Sequence, residues 1–127
     1  MAAIVAEQHV IEYLKKFFPE AQVTIGIDQT VLERETVIII QASPTPIGDN
    51  RRGALWTVDI TVLDVDRTRG AQVVAECIER LYEGVSDGSL PFAGMKTIAL
   101  PEFVAHNTAS QSHTACTASV RFSGHYG

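Results

Sequence analysis

Polar and apolar positions alternate most cleanly from Leu55 to Val65. Trp56, Val58, Ile60 and Val62 fall on one side of an extended chain, and Thr57, Asp59 and Thr61 on the other. This predicts a half-buried strand; at ~3.3 Å per residue its eleven positions span roughly 36 Å, about twice the usual strand length. The period then changes. Ala71, Val74, Ile78, Leu81 and Tyr82 recur at helical spacing with Glu76, Glu79, Arg80 and Glu83 between them, predicting an amphipathic helix. Asp66 or Thr68 is expected to cap its start, and Gly84 to end it as a left-handed terminator.

The flanking segments follow the same two periods. Residues 3–18 place Val10 or Ile11, Leu14, and Phe17 or Phe18 on one helical face. Glu7, Gln8, Glu12, Lys15 and Lys16 are expected on the opposite face, and Pro19 stops the helix because the residue before a proline is driven out of helical geometry. Residues 21–27 alternate as a strand through Val23, Ile25 and Ile27. The unbroken run Val37–Ile40 within 36–42 marks a strand that is central or covered on both sides. Residues 84–95 carry three glycines and a proline and predict a loop. "KTIALPEFVAH" predicts a strand at a sheet edge or bulge, since Pro101 cannot donate to a ladder. In "HTACTASVRFSG", Cys116, Ala118, Val120 and Phe122 alternate against Ala115, Thr117, Ser119 and Arg121. The expected fold is α+β, in the order α-β-β-β-α-β-β. A mixed, mostly antiparallel sheet of about four to five strands packs against two helices, in a single domain over residues 1–127.

Composition narrows the function. Of the 127 residues, 46% are apolar and 20% charged, which suffices for one real core. The net charge of −5 gives no long-range attraction for nucleic acid or an anionic membrane. No apolar run reaches the ~20 residues that cross a bilayer, and "MAAIVAEQHV" lacks the parts of a signal peptide, so an intracellular product is expected. Cys77 and Cys116 both fall at core positions, as two reduced thiols would.

Candidate chemistry is sparse. His113 and Cys116, three apart on a strand, point to opposite faces, so they and His106 make a poor metal set. Asp59 and Asp64 are likewise on opposite faces and form no carboxylate pair. No glycine-rich phosphate loop, GxSxG or HExxH is present. Neither an enzyme nor a cofactor is expected.

Two polar spots stand at opposite ends of the long strand. "SPTPIGDNRRGA", residues 43–54, predicts a projecting loop long enough to serve as a contact surface. Arg67 and Arg69 sit where positive charge opposes the dipole of the second helix, a cost that a carboxylate of this chain or of a neighbour would offset. The candidate interface residues are therefore Ile47, Asp49, Asn50, Arg51, Arg52, Arg67 and Arg69.

The N-terminal amphipathic helix, the "TVIIIQA" strand, the "GDNRRG" loop, the "WTVDITVLDVDRTRGAQVVAECIERL" strand and helix, and the closing pair "KTIALPEFV" and "HTACTASVRFSG" together resemble the tail terminator proteins of long-tailed bacteriophages, also called tail completion or tail-to-head joining proteins. The resemblance covers nearly the whole chain and rests on element order rather than on invariant functional residues. It implies a structural protein that forms a sixfold ring on the head-proximal end of the virion tail. Its partners would be further copies of itself, the major tail tube protein and a head-completion or neck protein. Assembly would take place in the host cytoplasm, with DNA passing through the ring without sequence-specific binding. Two other readings stay open: a neck or head-completion protein of the same particle, and a small cellular ligand-binding α/β domain.

Overall fold

In the computed structural model of the protein, the described residues are 2–25, 34–45, 54–105 and 112–124. They form α1 (Ala2–Lys15), β1 (Gln22–Ile25), β2 (Thr36–Thr45), β3 (Ala54–Asp64), α2 (Arg67–Asp87), β4 (Gly94–Val104) and β5 (Thr114–Gly124). The five strands make one open sheet in the order β1-β2-β3-β5-β4. β1 runs parallel to β2, and every other pair is antiparallel. This is the expected α+β arrangement, with the expected element order.

Both helices lie on one face of the sheet. Ala6, Val10 and Leu14 of α1 and Val74, Cys77 and Leu81 of α2 join Ile38, Ile40, Val58, Ile60, Val62, Ala118, Val120 and Phe122 in one buried core. The alternation in β3 and β5 is realised as expected, and Cys77 and Cys116 are both buried and free. On the other face, Val37, Ile39, Leu63 and Ala115 form a smaller buried cluster. The continuous Val37–Ile40 run therefore serves both faces, as an inner strand requires. Farther along that face the pairing turns polar. Thr61 and Thr117 share a hydroxyl hydrogen bond of 3.2 Å, and the Ser119 hydroxyl donates to Asp59.

Four expectations need correcting. Glu7, assigned to the solvent side of α1, is nearly buried, and its carboxylate accepts the Ala42 N–H at 2.9 Å. Ala42 lies two residues beyond the Ile25↔Ile40 pair, so α1 supplies an acceptor next to the point where the described pairing with β1 ends. Strand β2 extends past residue 42, with Ser43, Pro44 and Thr45 paired to Thr57, Trp56 and Leu55. The connection expected over 43–54 is thus shorter, because polar side chains do not interrupt a backbone ladder. α1 also ends before residue 18: N–H groups of Lys16 and Phe17 bond three residues back, to Tyr13 and Leu14, tightening the last turn ahead of Pro19.

The fourth correction concerns Gly84. α2 continues through it to Asp87 and stops at Gly88, whose φ of 83° is the left-handed conformation that favours glycine. Gly84 instead lets α1 approach. A Cβ there would stand 2.7 Å from Tyr13 Cζ and 2.9 Å from Leu90 Cδ1. In a free helix, Gly to Ala gains about 1 kcal/mol. Here, overpacking a buried contact costs roughly 1–3 kcal/mol and should win. Gly84→Ala is expected to lower the urea midpoint, whereas an alanine gaining only helix propensity would raise it.

Candidate interaction surface

The N-terminus of α2 is built around Asp64, the residue that ends β3. Its carboxylate is fully buried and accepts from the Thr36 hydroxyl at 2.6 Å, the Asp66 amide at 2.8 Å, and Arg69 Nε and Nη2 at 2.8–3.1 Å. Burial alone would raise the Asp64 pKa. The hydrogen bonds from Arg69, Thr36 and the Asp66 amide, with the Arg69 charge, outweigh it and hold the carboxyl below its ordinary value. Asp66 caps the helix, accepting the amides of Thr68 and Arg69 at 3.0 and 3.2 Å. Arg69 also reaches Glu35 at 3.2 Å. The cation that opposes the helix dipole is thus neutralised within the chain, by a residue of the preceding strand and one next to β2.

Arg67 and Arg69, adjacent in the sequence pattern, diverge in space. Arg67 leaves the helix toward β4, where its guanidinium lies 4.0 Å above the ring of Phe103. Beside it runs an open groove of about 450 Å³ lined by Arg67, Phe103, Val104, His113 and Thr114, among others. His113 also contacts the Arg34 carbonyl through Nε2 at 3.2 Å, while Cys116, three residues on, points into the core. The other candidate interface residues, Ile47, Asp49, Asn50, Arg51 and Arg52, lie outside the described residues, as does His106.

The state of β4 is poorly signalled by its residue pattern. It is an edge strand, as Pro101 suggested, and its register with β5 shifts between Thr97 and Ala99 and again between Ala99 and Glu102. Yet Ile98, Leu100, Phe103 and Val104 all remain exposed, Leu100 at 77%. Periodicity marks such residues as apolar but not as unburied. The only available signal was their place next to a proline that excludes a central strand.

The backbone of this edge is guarded while its side chains are not. The Tyr82 hydroxyl of α2 accepts the Thr97 amide at 3.0 Å and bonds its hydroxyl at 3.1 Å. Pro101 has no amide to offer, and the two register shifts bend the ladder. Strand addition is therefore disfavoured, and apolar side-chain contact is what the edge offers.

Burial pushes the thiol of Cys77 well above its ordinary pKa, with Glu76 adding to the shift; burial and then Glu102 do the same to Cys116. Among the described residues, no three of His, Cys, Asp and Glu are grouped to hold a metal, and no helix is long and apolar enough to cross a membrane. A scan against protein-family models finds no match for this chain, and no curated protein matches it.

Proposed function

We propose that the protein is the ring-forming terminator of a phage tail tube, a structural subunit that caps the head-proximal end and presents a docking surface to the head. The observation that carries this reading is β4: an eleven-residue edge strand whose outer ladder is blocked at Thr97 and Pro101 and whose large apolar side chains are left in water. Large apolar side chains left in water on a folded protein mark an interaction site, and the other end of the sheet, at β1, offers a different surface. A contact between unlike surfaces joins copies head to tail, the geometry that closes into rings. The sequence resemblance supplies the tail and the sixfold symmetry. The net charge of −5 suits a ring through which DNA slides without being gripped.

Negative-stain microscopy of the purified protein with polymerising tail tube protein tests the reading. Sixfold rings seated on tubes of fixed length are the expected result. Tubes that grow without limit in saturating amounts of the protein would overturn it, and binding to isolated heads but not to tubes would favour the head-completion reading.

A further inference from the structure

On the helix-free face of the sheet two cations stand opposite each other. In the ladder Lys96 of β4 pairs with Arg121 of β5, and Arg121 in turn with Thr57 of β3. Their chain neighbours Met95 and Phe122 belong to the core under the helices, so strand alternation turns Lys96 and Arg121 to the other face. Opposed side chains leave neighbouring strands about 5 Å apart, and like charges so placed repel and weaken the pairing. No acid relieves them: among the described residues neither cation forms an ion pair. Asp59, two residues along β3 from Thr57 on the same face, accepts the Ser119 hydroxyl instead.

Arg121 has a second peculiarity. It is half-buried, and its Nε is shielded from water with no hydrogen-bond acceptor. Leaving such a donor unpaired costs about 1–3 kcal/mol, and one reason a native protein carries one is an acceptor that comes from outside the chain. Water would satisfy the donor but leave the two charges in place. An oxyanion answers both, accepting from the planar fork of the guanidinium on one side and from the ammonium of Lys96 on the other. Lys96 is exposed, so the pair is approached from solvent. A polyanion such as nucleic acid is disfavoured, because two cations do not offset the long-range repulsion of a chain with net charge −5. A single anionic group meets far less of it.

We propose that Arg121 and Lys96 form a binding site for one oxyanion group, a carboxylate or a phosphate, held between β4 and β5. The site stands apart from the apolar side chains of β4 and does not depend on the ring reading.

Titration of the full chain with inorganic phosphate and, separately, acetate tests it, followed through the Arg121 Nε–H resonance by NMR. The resonance should move saturably, with a millimolar midpoint, and Lys96→Gln should weaken binding about tenfold, as loss of one charge-assisted hydrogen bond does. Stability gives a second readout. In anion-free buffer Lys96→Gln should match or exceed the urea midpoint of wild type, because it removes a like-charge neighbour. Phosphate should then raise the wild-type midpoint more than that of the variant, since the general effect of the salt acts on both and only bound anion adds to wild type. A shift that is linear, or equal in Lys96→Gln, would mean an adventitious ion only and overturn the site. So would a Lys96→Gln protein less stable than wild type without anion, which would give Lys96 a partner within the chain. Saturable binding of short duplex DNA, lost in Arg121→Gln, would overturn the single-group reading in favour of a nucleic-acid backbone. A shift of the same resonance with protein concentration, reversed by phosphate, would support the site and place the anionic group on a second copy; saturation by added anion without that dependence would support it as a site for a free anion.

Discussion

Replacing Asp64 with alanine is expected to lower the free energy of unfolding by about 2–4 kcal/mol. The argument turns on which partners can recover. Arg69 is 42% exposed and returns to water when its acceptor is removed, so the full cost of stranding a buried cation does not apply. The Thr36 hydroxyl and the Asp66 amide are only partly exposed and lose their acceptor at 2.6 and 2.8 Å, which leaves two donors short of a partner. Equilibrium urea unfolding, read as a fall in midpoint at unchanged slope, measures the loss.

The same residue predicts a pH dependence with a definite sign. The Asp64 pKa is lower in the folded protein than in the unfolded chain, where it is about 3.9. Its contribution is therefore fully present above about pH 4 and is lost as pH falls through the lower folded value. The stability gap between wild type and Asp64→Asn should be constant near neutrality and narrow in acid. A gap that widened below pH 4 would mean that Asp64 is not held as a carboxylate.

Phe122→Ala is expected to cost more, about 3–5 kcal/mol. Phe122 is fully buried, and its ring stacks on Phe92 with centroids 4.3 Å apart and planes 16° from parallel. Phe92 belongs to the short connection that leads from α2 into β4, and the next residue, Ala93, donates its amide to the Ser123 carbonyl at 2.8 Å. The stack is thus what seats the start of the edge strand on the sheet. Truncation should open a cavity and also release β4, so hydrogen exchange at β4 amides should quicken more than at β3. Uniform acceleration across the sheet would mean that Phe122 contributes only to global stability.

How far the sequence reached depended on whether a residue's role was periodic. Trp56, Val58, Ile60 and Val62 in β3, and Cys116 through Phe122 in β5, repeat an in-and-out rule, and the structure obeys it. Asp66 worked as a cap because its signal is local. Glu7, Gly84 and Arg69 act through partners 34 to 35 residues away, or across a helix pair, and no period encodes that. Asp64 was half legible. Its even number continues the buried face of β3, so a carboxylate was due in the interior, and Arg69 stood five residues on to meet it. The difference between Gly84 and Gly88 was closed to pattern reading, since either glycine could end the helix and only the approach of Tyr13 distinguishes them. At the candidate surface, Arg67 was picked out for its charge, while its apolar neighbours on β4 were not.

The strand order has a consequence for synthesis. β5 is made after every other described element, yet it lies between β3 and β4 and carries Ala118, Val120 and Phe122 into the core. Its contacts with β3 close loops of more than fifty residues, as in the Thr61–Thr117 pair, 56 apart in sequence. Such non-local pairing slows folding. A nascent chain emerging from the ribosome therefore carries β3 and β4 with facing edges unsatisfied until residues 114–124 arrive. Folding of this sheet therefore waits for β5, and chains halted before Phe122 are the natural clients of chaperones and proteases.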